Sequence, residues 1–318
     1  MAIPHLVLTG SVAVDRIMIY PGSFAEVIQP DKLHVLSLSL LLNELKETRG
    51  GVAANIAYSL ALLGEKPSLL ASVGENARHY MADLAELGVQ TDTVYYSHLP
   101  TATFTVMTDT HNCQIGGFYP GAMSDAQSLS LHDLSPADTL VVISPHDPTQ
   151  MAVQVQQCAA AKRRLFYDVG QQINNISADD IRAGVAATEL LIINDYEYEV
   201  LQQKTGWTEQ ELLQKVKTIV VTLGEKGSII KTGSGREKTK NTKVPAVKIK
   251  KVIDPTGAGD AFRAGFLYGY VREWDLERCA QLGSVAASFV VEKHGAQEHT
   301  FTRKDIEKRY TATYEGFL

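Results

Sequence analysis

Residues 254–262 read Asp254-Pro255-Thr256-Gly257-Ala258-Gly259-Asp260-Ala261-Phe262, and the fold is decided here. The apolar, β-branched pair Val252-Ile253 just before it predicts the end of a strand. Gly257 and Gly259 bracket Ala258, so the backbone can turn sharply and bare its N–H groups. The pattern then becomes helical, with Phe262, Phe266 and Tyr270 on one face and Gly265 and Gly269 on another. A strand, a glycine turn and a helix N-terminus make an anion site, because unpaired N–H groups and the helix dipole both favour negative charge. Asp260 falls in the first helical turn, where a carboxylate is ready to accept a proton beside a bound anion. Positive dipoles for a phosphate and a base for a hydroxyl are what phosphoryl transfer requires. A capped helix with an acidic first turn would look much the same, so this stretch does not decide function alone.

A second segment lies at 50–64. Gly50-Gly51 precedes Ala53-Ala54-Asn55-Ile56-Ala57, and Gly64 closes the run. This predicts a helix with a small-residue face, ended by glycine, with Asn55 near its start. An amide there either caps the helix or both donates to and accepts from a ligand hydroxyl.

Together the two segments resemble the signatures of the PfkB (ribokinase-like) family of carbohydrate and nucleoside kinases. The first runs from Gly50 through Asn55 and Gly64 to Gly74, the second from Asp254 to Phe266. Between them, Asn194-Asp195-Tyr196-Glu197 resembles the family's Asn-x-x-Glu element, and Thr222-Leu223-Gly224 with Gly227 resembles its nucleotide-binding strand end. Their order and spacing cover nearly the whole chain.

The resemblance implies an α/β, ribokinase-like three-layer sandwich, with a mostly parallel central sheet and a small β-sheet lid. It implies one kinase domain over 1–318, the lid drawn from 11–45 and 93–123. Asp260 would be the catalytic base, and the N–H groups of Gly257, Ala258, Gly259 and Asp260 the anion hole. Asp254 would organise that loop. Asp15 would hold sugar hydroxyls, with Gly51 and Asn55 completing the ribose contacts. Asn194, Thr222, Gly224 and Gly227 would line ATP, and Asn194 and Glu197 would order a Mg²⁺ shell through water. Some members of the family also hold K⁺ beside the loop.

Several further stretches resemble the adenosine-kinase-like subgroup: Asp15–Met18, Asp31–Leu36, Phe118–Met123, Gly259–Gly265 and Gly295–His299. Phe104 and Phe118 fall in the lid, where an aromatic face could stack on a purine. The implied reaction is ATP-dependent phosphorylation of the 5′-hydroxyl of a purine nucleoside, adenosine first. The alternatives are ribose, inosine or guanosine, fructose or a sugar phosphate, or a non-catalytic binding relative. After Gly74 the family commonly carries two acids, and here Asn76 follows Glu75.

Bulk properties agree. The chain has 318 residues, 45% of them hydrophobic, enough for a substantial core. A net charge of −6 gives no overall attraction to nucleic acid or anionic membrane. No run is apolar enough for a membrane span, Met1 to Asp15 lacks a basic leader, and the three scattered cysteines suit a reducing cytoplasm. The expected state is a cytoplasmic monomer or homodimer. No Gly-x4-Gly-Lys-Ser/Thr occurs, which disfavours a P-loop kinase.

Strands are predicted at 6–9, 68–73, 139–144, 164–168, 190–194 and 218–223. Helices are predicted at 53–63, 77–87, 148–162, 178–187, 196–204 and 208–215. Residues 11–45 and 93–123 hold strand formers without helices. The run 236–251 carries seven basic side chains and one acid, read as a solvated edge hairpin rather than a guide for phosphates.

Overall fold

A computed structural model describes residues 3–131, 138–233, 239–314 and 316, leaving out the side chains of 126–128. Strands β1 (His5–Thr9), β4 (Ser68–Leu70), β9 (Thr139–Ile143) and β10 (Arg164–Tyr167) pair in parallel in the order β10-β9-β1-β4. Strands β11 (Leu191–Asn194) and β12 (Thr218–Thr222) are also parallel. The antiparallel β13 (Ser228–Thr232) and β14 (Lys240–Val244) extend that sheet. A separate sheet runs β3 (Glu44–Gly50), β2 (Ala13–Ile19), β7 (Ala102–Thr108), β8 (Gln114–Tyr119), and β5 (Ser72–Gly74) pairs with β6 (Tyr95–Ser97).

The parallel strands are buried on both faces, and alternation sorts their side chains into two cores. Leu6, Leu8, Leu140, Val142, Phe166, Ile192 and Val220 join one, with α2 (Val52–Leu62), α3 (Arg78–Glu86), α8 (Ala258–Tyr270), α9 (Leu276–Val290) and α10 (Arg303–Thr313). Val7, Val141, Ile143, Leu165, Tyr167, Leu191, Ile193, Ile219 and Val221 join the other. There they meet α4 (Pro148–Ala160), α5 (Ala178–Ala187), α6 (Asp195–Thr205) and α7 (Glu209–Lys215). Helices on both faces of a mostly parallel sheet make a three-layer α/β sandwich.

The α8–α9 contact explains the glycine face read from sequence. A Cβ on Gly265 would lie 2.7 Å from Leu282 O, and one on Gly283 2.7 Å from Phe262 O, so the helices touch backbone to backbone. Beside that contact Phe262, Phe266 and Tyr270 stack at 6.3 and 6.2 Å.

Some expectations are corrected. Val252 and Ile253 end no strand. They are 55% and 41% exposed, and the Ile253 N–H donates to Val291 O beyond α9. The run 68–73 breaks at Ala71, where the chain leaves β1 and turns to β6. The stretch 11–45 does contain helical structure, in α1 (Phe24–Val27) and the 3-10 turns of Pro30–Val35. Within the basic run, Arg236, Glu237 and Lys238 lie outside the described residues. Lys240 and Lys243 are exposed on β14, at the end of its sheet, as the edge reading expects.

Candidate active site

Two helix N-termini meet at one cleft of about 560 Å³. One is α2, entered through Gly51 at φ 95°, where a Cβ would sit 2.5 Å from Ser11 O. The other is α8, entered through Gly257 at φ 82°, where a Cβ would sit 2.6 Å from the Ala296 Cβ. Only glycine suits either position. Small residues in the first turn of α2 let α8 approach, and across that contact Asn55 Nδ2 donates to Asp260 Oδ2 at 2.8 Å.

The first bond within α8 runs from Ala261 N–H to Gly257 C=O at 3.0 Å, which leaves the earlier N–H groups outside the helix ladder. The Ala258 N–H turns back to Pro255 O at 3.1 Å, so it differs from the expected four-membered anion hole. Gly257, Gly259 and Asp260 line the cleft, and Ala258 does not. Asp254 ties the turn together, its Oδ1 accepting from Thr256 N–H and its Oδ2 from Gly295 N–H, both at 2.9 Å. Burial alone would raise Asp254, but these bonds outweigh it and hold the carboxyl below its usual range. Burial pushes Asp260 up to about 6 against the pull of Arg263 and Asn55, with Glu197 adding to the rise.

The separate small sheet covers the cleft. Asp15 on β2 is in register with Phe104 on β7, and Phe104 with Phe118 on β8, so the three form one row facing the cavity. Alternation turns Arg16, Thr103 and Thr105 to a second hollow on the sheet's other face. Phe104 and Phe118 remain 39% and 50% exposed as residues. Burial, then the nearby Asp254, push Asp15 up to about 6. A Cβ on Gly50 would lie 2.7 Å from Asp15 Oδ2, so that glycine makes room for the carboxylate.

The residues expected around a nucleotide lie elsewhere. Asn194 and Thr222 are register partners at the C-terminal ends of β11 and β12, where open α/β sheets bind ligands. Asn194 and Glu197 form a capping box on α6, with Glu197 N–H to Asn194 Oδ1 at 2.7 Å and Asn194 N–H to Glu197 Oε2 at 3.0 Å. Gly224 opens a turn at φ 57° with free space where a Cβ would be. Gly227 has a packing reason of its own, since a Cβ would meet Val244 O at 2.0 Å. None of these five lines the cleft. Among the described residues no cluster of His, Cys, Asp and Glu could hold a metal by itself.

Sequence reasoning gave no role to Gln171, Gln172 and Asn175, three cleft-lining amides after β10. An amide-rich run following a buried strand was the available signal. It also passed over Arg263, whose buried guanidinium pairs with Asp168 at 2.7 Å and lies 3.9 Å from Glu197. Asn76 replaces the expected second acid with a different bond, its Oδ1 accepting from Thr101 N–H at 3.0 Å.

A parallel sheet, two converging helix N-termini and a buried carboxylate beneath a separate small sheet make a cleft suited to an anionic ligand. The chain belongs to the PfkB family of carbohydrate kinases, matching it over residues 8–303. It is 32% identical over 286 residues to a nucleoside kinase of Methanocaldococcus jannaschii, covering 89% of this chain and 92% of that one. It is 29% identical over 265 residues to a cytidine kinase of Thermococcus kodakarensis, covering 77% and 88% of the two chains. The solved nucleoside kinase of Burkholderia thailandensis in complex with inosine superposes with a TM-score of 0.86 at 28% identity, over 98% of this chain and 100% of that one.

Proposed function

We propose that this chain transfers the γ-phosphoryl group of ATP to the 5′-hydroxyl of a purine nucleoside, adenosine first. The observation that carries the reading is the single cleft that sets Asp260 opposite the Asp15–Phe104–Phe118 row. A carboxylate with a pKa near 6 is ionised at neutral pH and still a better base than an ordinary one. Asp260 takes the proton of the attacking hydroxyl. The N–H groups of Gly257, Gly259 and Asp260 and the dipole of α8 stabilise the charge on the phosphoryl group. Asp15 accepts from the 2′- and 3′-hydroxyls, and the two rings stack on the base. The inosine complex of the Burkholderia relative supports a purine nucleoside, and the family membership supports ATP.

Mg²⁺ would arrive with ATP and neutralise charge on its β- and γ-phosphates. The donor set fits an outer-shell role. Glu197 Oε2 is engaged by the Asn194 N–H, which leaves Oε1 as the oxygen that would accept from waters of the ion, and among the described residues no His/Cys/Asp/Glu cluster offers a closed metal site. The direct test is to incubate the protein with Mg·ATP and adenosine and identify the products. Adenosine 5′-phosphate and ADP in equal amounts are expected. ADP without a phosphorylated nucleoside would contradict the proposal.

A further inference from the structure

Beneath the cleft a chain of hydrogen bonds runs from a backbone carbonyl to the proposed base. The Tyr80 hydroxyl donates to Gly50 O at 3.0 Å. Gln297 Nε2 donates to the Tyr80 oxygen and, at 2.8 Å, to Asn55 Oδ1. Asn55 Nδ2 donates to Asp260 Oδ2 at 2.8 Å. Tyr80, Gln297 and Asn55 are all buried, at 5%, 8% and 5% exposure.

The direction of this chain is dictated at its far end. A carbonyl can only accept, so Tyr80 must give its proton to Gly50 and offer Gln297 a lone pair. Gln297 must then turn Nε2 toward Tyr80, and the same nitrogen faces Asn55. Asn55 in turn must present Oδ1 to Gln297 and Nδ2 to Asp260. Neither amide can flip without setting acceptor against acceptor or donor against donor. Gln297 Oε1 is left buried without a protein partner in this arrangement.

We infer that Tyr80 and Gln297 are positioning residues, which fix the Asn55 amide so that it always donates to Asp260. The inference rests on Asp260 being the base. It has a consequence for the covering sheet, because Gly50 is the last residue of β3 and lies against Asp15. The carbonyl that orients the base is thus part of the sheet that holds the acceptor.

The groups facing Asp260 are Arg263 on its own helix, Glu197 on α6, Asp168 after β10, Asn55 on α2 and Tyr80 on α3. Of these, Asn55 and Arg263 favour the ionised form. If Asn55 is free to turn Oδ1 toward the carboxylate, the Asp260 pKa rises. The acid limb of kcat/KM then moves to higher pH, and loss of activity is larger at pH 6 than at pH 8.

The test compares Tyr80→Phe, Gln297→Leu and Gln297→Glu with Asp260→Asn, measuring kcat, both KM values and the pH profile, with adenosine as acceptor. Tyr80→Phe removes one oxygen and guards against a variant that fails to fold. Expected are a fall in kcat of about tenfold or more for Tyr80→Phe and Gln297→Leu, a raised acid limb and little change in the KM for ATP. Gln297→Glu is expected to be worst, because a carboxylate only accepts and demands the reversed Asn55 amide. Wild-type kcat and pH profile in both Tyr80→Phe and Gln297→Leu, with turnover lost in Asp260→Asn, would overturn the inference and keep the base. Full turnover in Asp260→Asn would instead overturn the base itself.

Discussion

Asn55 and Asp260, 205 residues apart in sequence, meet at 2.8 Å where the first turns of α2 and α8 touch. The contact joins the two sequence signatures into one site. It engages the Asn55 amide at both ends, Nδ2 donating to Asp260 and Oδ1 accepting from Gln297.

Asp260→Asn retains the shape of this contact and removes the charge. Turnover is expected to fall by roughly 10² or more, with nucleotide binding little changed. Single-turnover kinetics and ADP titration would check it. Wild-type turnover would remove Asp260 from the chemistry.

The pH dependence follows from Asp260 and Asp15, both pushed up to about 6 from a usual 3.8, chiefly by burial. Both carboxylates must be ionised to act, so kcat/KM should fall as pH drops through about 6. Stability moves the other way. Between 3.8 and about 6 the folded protein holds protons that the unfolded chain releases, so these two groups lose stability as pH rises through that window. Asp260→Asn should therefore raise Tm at pH 8 more than at pH 4.5, measured by calorimetry. An equal change at both values would show that Asp260 titrates normally.

Asp15→Ala should raise the KM for the nucleoside far more than that for ATP. Each charge-assisted bond to a ribose hydroxyl is worth roughly 1.5–3 kcal/mol. A rise confined to ATP would place Asp15 outside the acceptor site.

Glu197→Gln separates two roles. Glutamine serves equally well at the third position of a capping box, so α6 should be preserved. The Mg²⁺ concentration needed for half-maximal rate should rise if the Glu197 charge faces the ion's waters as proposed. An unchanged Mg²⁺ titration would leave Glu197 as a cap alone.

Most of the sandwich was legible in the sequence, since buried parallel strands read as short apolar runs and helices as periodic ones. Ala178–Ala187 appears as a helix over the same residues as expected, with Ser177 as its cap. Val252 and Ile253 misled, because β-branched residues also occur where a chain without a strand partner is pinned to a helix end, here by the Ile253 and Asp254 N–H groups to Val291 O. The small glycine-entered turns of α2 and α8 were visible because only glycine fits them. The Tyr80–Gln297 chain was not, for its members are distant in sequence and each alone reads as ordinary packing. The register that puts Asp15, Phe104 and Phe118 in one row was equally out of reach, because a strand's apolar pattern does not name its partner.

The central claim is tested most directly by kcat/KM over adenosine, inosine, guanosine, cytidine, ribose and fructose 6-phosphate under saturating Mg·ATP. Stacking of a purine on an aromatic ring contributes roughly 1–3 kcal/mol, and closure of the small sheet over the proposed nucleoside would convert such remote binding into rate. Adenosine is expected to exceed ribose by several orders of magnitude. Phe118→Ala and Phe104→Ala should erase much of that advantage while leaving ribose unaltered. Ribose or a hexose as the best acceptor would contradict the account and leave only membership of the PfkB family standing.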